Sequence, residues 1–281
     1  MLFLRKQHDA LHTRDDDHDD MGGLHRDLAS TGTAIGRGEF LRYSLGAGAF
    51  ALFGCGGSLA DITGSSTDTG AGGACSKIPE ETAGPFPGDG SNGANVLNQT
   101  GVVRQDIRSS FAGLTGTATG VPLVIQLTLV SASTCTPLAN RAVYLWHCDA
   151  LGRYSLYTSG VTNQNFLRGV QEADANGQVT FTSIFPGCYA GRWPHIHFEV
   201  YASVKKAVSN GPIVKTSQIA LPQAVCKKVY ATSGYSGSLG NLARTSLSSD
   251  MVFSDDNAIH QLATVTGSVK NGFVANLTIG I

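Results

Sequence analysis

The run His195-Ile196-His197 is the sharpest chemical feature of the chain. On a strand, residues i and i+2 share a face. His195, His197 and Glu199 therefore project one way, while Ile196, Phe198 and Val200 project the other way, into a core. Two imidazoles about 7 Å apart along one strand can converge on a single metal ion. Two surface histidines brought there by chance would read the same, so the pair alone leaves both readings open. Tyr189 lies six residues upstream of His195, and Tyr154 follows the turn Asp149-Ala150-Leu151-Gly152. Both tyrosines sit at strand ends and turns, where functional residues collect. The chain has 8 Tyr, so packing with a hydrogen-bonded hydroxyl accounts for any one of them taken singly.

The elements that must position these groups read as strands. Leu123 to Val130 carries one fully apolar face. Ala142 to Cys148 puts Tyr144 and Trp146 on one side and Val143, Leu145 and His147 on the other. Val179 to Thr182 follows Asp174-Ala175-Asn176-Gly177, whose Asn-Gly suits a tight hairpin. His195 to Tyr201, Val214 to Leu221, Gln261 to Val269 and Gly272 to Ile279 complete the set, the last two joined near Lys270-Asn271-Gly272. No segment shows a long 3.6-residue apolar period, and no internal repeat is evident. Short strands with Gly-rich turns predict an all-β fold, an antiparallel β-sandwich or a barrel with long loops. The 281 residues are 42 % hydrophobic, enough for a sizeable core. The net charge of -1, with no basic stripe, argues against nucleic acid as a partner.

Several of these segments, taken in order, carry a resemblance. Glu81-Thr82-Ala83-Gly84-Pro85-Phe86 comes first, then Trp146-His147-Cys148-Asp149-Ala150-Leu151-Gly152-Arg153-Tyr154-Ser155, Arg168-Gly169 and Asp174-Ala175-Asn176-Gly177. Phe181 to Tyr189, Arg192-Trp193-Pro194-His195-Ile196-His197 and Thr216-Ser217-Gln218-Ile219 follow. Together, from about residue 79 to 281, they resemble the intradiol ring-cleavage dioxygenases, which include protocatechuate 3,4-dioxygenases and catechol 1,2-dioxygenases.

The resemblance implies a β-sandwich, in agreement with the strands. It implies that Tyr154, Tyr189, His195 and His197 are ligands of a non-haem Fe(III), that Arg192 is an active-site arginine, and that Gln218 is an active-site glutamine. The chemistry is consistent. Free tyrosine has a pKa near 10, so only a strongly Lewis-acidic ion holds it as a phenolate. Two phenolates and two neutral imidazoles leave a 3+ ion at net +1, a donor set that suits Fe(III) better than Zn(II). The implied reaction binds a catechol-type aromatic diol and opens its ring with O2 between the two hydroxyl-bearing carbons, to a muconate-type diacid. Tyr189 would leave the metal and take up a proton, Tyr154 would stay, Arg192 would stabilise negative charge on the substrate, and Gln218 would orient groups near the metal. Without the resemblance, Arg192 and Gln218 read as a surface arginine and a solvent-facing strand residue. The chain departs from the family in the short loop of five residues between Tyr189 and His195. A fused helical dimerisation region is also not visible.

The start of the chain reads differently. Residues 1–35 are polar and read as disordered. Arg37 to Leu41 resembles a twin-arginine export signal lacking one arginine, and the apolar stretch Leu45 to Gly54 has the length of a signal-peptide core, too short to span a bilayer. Leu52-Phe53-Gly54-Cys55 resembles a lipobox, which would lipidate Cys55 and anchor it to a membrane. A short buried helix is the competing reading. The expected organisation is a polar N-terminus with a signal segment over 1–55, a Gly/Ser/Thr-rich linker over 56–77, and the sandwich over 78–281. The expected location is exported, in the periplasm or cell envelope. Six cysteines fit such a compartment if some pair, and Cys135 with Cys148 and Cys188 with Cys226 are the expected pairs. Two other functions stay open: an exported, non-catalytic β-sandwich that binds aromatic or polymeric ligands and keeps a vestigial metal site, and a zinc or copper protein using His195 and His197 with other ligands.

Overall fold

The computed structural model describes residues 75–281; the expectations for the export signal, Cys55 and most of the linker lie outside them. Eight strands appear: β1 (Pro122–Val130), β2 (Ala142–Trp146), β3 (Arg168–Glu172), β4 (Gln178–Ile184), β5 (His195–Tyr201), β6 (Ile213–Ala220), β7 (Thr264–Ser268) and β8 (Gly272–Gly280). They form two four-stranded sheets, ordered β4-β1-β8-β7 and β3-β2-β5-β6. All neighbours are antiparallel except β1 and β8, which run parallel. This is the all-β sandwich read from the sequence.

Alternation builds the core. Leu123, Ile125, Leu127 and Leu129 point inward from β1 to meet Val143 and Leu145 of β2 and Ile196, Phe198 and Val200 of β5. Full burial stabilises such side chains by about 1.5–3 kcal/mol each. The second sheet is covered on its other face as well. Tyr144, Trp146, Val170 and Tyr201 form a second apolar cluster with Val96, Leu97, Val102 and Phe111 of the preceding loops and Ala207 of α1 (Val204–Ala207). All seven residues of β5 are therefore buried, and the histidine-bearing face lies under the loops.

The structure corrects several expectations. Strand β3 was read only as a motif, because Arg168-Gly169-Val170-Gln171-Glu172 is too polar to alternate. The turn at Asn176-Gly177 is tight, with the Gly177 amide donating to Asp174 O at 2.9 Å. It joins no hairpin, however: β3 pairs with β2 and β4 with β1, so the chain steps from one sheet to the other there. Gly177 has φ +74, and a Cβ would meet Leu129 O at 2.3 Å, so the step requires glycine. Short helices α2 (Gln223–Tyr230) and α3 (Ser238–Ala243) are too brief to show helical periodicity. Among the described residues the disulfide is Cys75–Cys135, and Cys148, Cys188 and Cys226 are buried free thiols. The reason is topological. The segment at Lys77 runs beside Gly280 at the end of β8, which brings Cys75 to the turn after β1, while the other three thiols are packed in the two apolar clusters.

Candidate metal centre

Strand β5 supplies the two imidazoles and the register supplies their surroundings. Trp146 on β2 pairs with His197, and His197 pairs with Gln218 on β6. The Trp146 indole stacks on the His197 ring, centroids 4.9 Å apart and planes within 6°. His195 is fixed by its own chain: its Nδ1–H donates to Trp193 O at 2.5 Å. That bond sets the tautomer and leaves the Nε2 lone pair free.

The tyrosines arrive on loops. Tyr154 follows the turn in which Asp149 accepts from the amides of Leu151 and Arg153 at 2.9 Å. Tyr189 packs against Gly152, where φ is +81 and a Cβ would approach Tyr189 Cβ at 3.0 Å; glycine is needed at this point for both reasons. Four donor atoms then converge. Tyr189 Oη lies 3.1 Å from His195 Nε2, Tyr154 Oη 3.2 Å from His197 Nε2 and 3.4 Å from His195 Nε2, and the two Nε2 atoms are 3.1 Å apart. Ligand bonds of about 2.0–2.1 Å around one tetrahedral ion give edges of about 3.3 Å, so the four atoms match the edges of one coordination shell. Among the described residues no group of three or more His, Cys, Asp or Glu forms a metal cluster, so a metal here draws on the phenols.

Burial governs the electrostatics. It holds both histidines well below the ordinary imidazole range, with Arg192 adding to the effect, so they are neutral bases. Burial also pushes the Tyr154 phenol well above its ordinary value and Tyr189 up to about 12, against the pull of Arg192. Without a cation these phenols stay protonated. Tyr154 is buried, whereas Tyr189 is only partly buried.

Arg192 and Gln218 join the same cluster, both buried. Arg192 Nη1 lies 3.5 Å from His195 Nε2, and Nη2 donates to Gln218 Oε1 at 2.7 Å. Gln218 Nε2 donates in turn to Thr82 O at 2.9 Å. The structure thus brings together all six residues singled out from the sequence. It adds others. Asp250, fully buried, pairs with Arg192 Nε at 2.9 Å and accepts from the amides of Trp193, Val252 and Phe253. Arg168, buried, donates to Phe86 O, Pro87 O, Ser155 Oγ, Ser155 O and Tyr144 Oη, tying the loop over the site to the Tyr154 loop. Phe86 of that loop packs on Tyr154, centroids 4.9 Å apart. Glu81, at the start of the loop, is half-buried and accepts from Gln261 Nε2 at 3.2 Å. Nothing local in the sequence marked Asp250, which lies far along the chain in an irregular loop; Arg168 and Glu81 stood inside motifs without a role.

The fold and the donor set define a class, and comparison with known proteins agrees with it. A family model described as "Dioxygenase" matches residues 99–210, a span that holds Tyr154, Tyr189, Arg192, His195 and His197. The structure of an intradiol ring-cleavage dioxygenase from Tetranychus urticae is similar, with 26% identity, a TM-score of 0.58, and coverage of 74% of this chain and 95% of that one. The dioxygenase domain of a dioxygenase carbohydrate-binding protein fusion from Streptomyces sp. SirexAA-E aligns at 22% identity, TM-score 0.46, over 73% of this chain and 97% of that one. The catechol 1,2-dioxygenase from Pseudomonas arvilla C-1 aligns at 20%, TM-score 0.44, over 73% and 61%. A search of curated sequences gives no match. In fold and donor set the chain is thus similar to the intradiol ring-cleavage dioxygenases.

Proposed function

We propose that the chain is a non-haem Fe(III) intradiol dioxygenase that cleaves catechol-type diols with O2 to muconate-type diacids. The observation that carries this reading is the convergence of four donor atoms: His195 Nε2 lies 3.1–3.4 Å from those of Tyr154, Tyr189 and His197, and Tyr154 Oη lies 3.2 Å from His197 Nε2. The residues present fit the ion. Two of the donors are phenols that only a strong Lewis acid would ionise at these burials, and His195 already has its tautomer set for ligation. When bound, Fe(III) would hold the phenols as phenolates and make a bound diol reactive toward O2. Tyr189, the more exposed phenol, is the residue placed to exchange a proton with an incoming diol, and Tyr154, enclosed by Phe86 and Trp146's sheet, is placed to stay. Arg192 presents Nη1 to the donor cluster, where it would stabilise negative charge on the substrate oxygens, and Gln218 and Asp250 hold it there.

Iron-loaded protein should be burgundy, with a broad visible band from phenolate-to-iron charge transfer, and should consume O2 only when a catechol is added. A colourless protein with a full complement of iron would sink the reading. A coloured protein that never takes up O2 with any diol would favour the non-catalytic binding sandwich instead. Tyr154→Phe should abolish the band or shift it strongly at comparable iron content. We also infer that the protein works outside the cytosol. The Cys75–Cys135 disulfide supports this, together with the signal-like segment and Cys55. Cell fractionation with a lipid label on Cys55 tests it, and an unlabelled protein confined to the cytosol would overturn it.

A further inference from the structure

We propose that Trp146, His197 and Glu199 enclose one buried water, and that through this water Glu199 acts as a positioning residue for His197. The role toward the metal rests on the ferric reading above; the water does not.

Glu199 follows His197 by two residues on the same face of β5, yet it takes no part in the donor cluster. It is 0 % exposed. Tyr201 Oη donates to its Oε2 at 2.6 Å, while Oε1 has no hydrogen-bond partner. Two other buried atoms share that condition: His197 Nδ1 and Trp146 Nε1. The three belong to one closed block of side chains. Trp146 is the register partner of His197 and stacks on it. Tyr144 stacks on Trp146, centroids 5.0 Å apart, and is the register partner of Glu199. The Tyr144 hydroxyl is spent on Pro87 O at 2.7 Å, so it satisfies none of the three. Buried polar groups are nearly always paired, and here three corners of a four-residue block each carry an unpaired atom.

The chemistry of the three atoms names the occupant. When His197 Nε2 gives its lone pair to an ion, the neutral ring carries its proton on Nδ1. Trp146 Nε1 is a donor only. Two N–H donors and one carboxyl oxygen therefore face the block. A water accepts from both N–H groups and donates to the oxygen, and three bonds are typical of a buried water. The N–H groups would repel a cation, and the carboxyl oxygen would repel an anion. Polar atoms on adjacent side chains that stand too far apart to bond directly are the pairs that a water bridges. Bulk solvent does not serve them: His197 is 3 % exposed, and Gly84 of the covering loop stands over its ring, where a Cβ would lie 3.4 Å from Cε1. An outer acceptor on a metal-ligating histidine fixes the ring and raises its basicity. His195 has Trp193 O for this; His197 has Glu199, through the water.

Crystals of the wild-type protein, metal-free and iron-loaded, should show one ordered water about 2.7–3.2 Å from all three atoms. In solution, Glu199→Leu should weaken iron binding about 10- to 100-fold. It should also move the phenolate-to-iron band to longer wavelength, because a less basic imidazole leaves the iron a stronger Lewis acid. Glu199→Gln keeps an acceptor oxygen and should restore most of both. Tyr201→Phe removes the carboxyl's other partner and controls for packing; band and iron affinity should stay at wild-type values. Absence of the water from well-ordered crystals overturns the proposal. A band and affinity unmoved by Glu199→Leu, or moved equally by Tyr201→Phe, overturn the positioning role. The crystals need no variant, so they decide the water even if Glu199→Leu misfolds. A colourless, iron-replete wild type overturns the ferric reading and the positioning role together, and the metal-free crystals then decide the water by themselves.

Discussion

Asp250 shows how a residue that touches no donor atom governs several that do. Its carboxylate holds the Arg192 guanidinium on one side and the Trp193 amide on the other, and Trp193 O fixes the His195 ring. Asp250→Asn keeps an acceptor for the backbone amides and removes the charge. We expect kcat/KM for catechol to fall about 10- to 100-fold, the range for lost partners of ligand-supporting groups, while the visible band and iron content persist. Loss of the band would show instead that Asp250 holds the fold of the ligand loop. At this same scale the sequence was generous with the histidines, since i and i+2 on a strand share a face. It was silent on Asp250, whose partners lie 57 and 58 residues away along the chain.

The elements that matter most are the loop over the site and the joint between the sheets. Arg168 fastens that loop to Ser155 and Tyr144 through five bonds made without a carboxylate partner, two of them to the loop itself. Arg168→Lys cannot reproduce the fork, so several buried carbonyls lose their donors. We expect a loss of about 3 kcal/mol or more, read as a drop in unfolding free energy in urea, and a weaker hold on iron because Tyr154 and Ser155 are adjacent. The joint is His147, whose Nε2 and Ser183 Oγ lie 2.7 Å apart, linking β2 to β4. Burial drives His147 down to about 4 from the ordinary 6.5. Between those values the unfolded chain binds a proton that the folded chain refuses. Stability is therefore full above about pH 6.5 and falls as pH drops toward 4, by roughly 3 kcal/mol. The difference in urea stability between wild type and His147→Gln across that window should show this slope; parallel curves would refute it. The alternation of Ala142 to Cys148 placed His147 on the core side, but only the packing of β4 opposite shows what it bonds to.

At the scale of the whole molecule, the Cys75–Cys135 disulfide closes a loop with a sequence separation of 60 and ties the first described residue to the turn after β1. Chain-entropy arguments give such a cross-link about 4 kcal/mol. Reduction, or Cys135→Ser, should lower Tm by on the order of 10 °C and leave the visible band intact, because the bridge lies at the opposite end of β8 from the residues that carry chemistry. An unchanged Tm in reducing buffer would count against it. The cysteine spacing misled here because a disulfide reports nearness in space. The strand order that brings Cys75 to Cys135 is set by the parallel pairing of β1 with β8, the first and last strands in the order of the described residues.

The sequence by itself determined the β-sandwich, through alternation on β1, β2 and β5; strand geometry marked His195 and His197, and the family resemblance of the local motifs marked Tyr154, Tyr189 and Arg192. Only the tertiary structure decided that β5 is covered on both faces, that His197 and Gln218 are register partners, and that Asp250 claims Arg192. Each of these depends on which distant segments meet, and local alternation carries no information about the partner across a sheet or the loop laid over it.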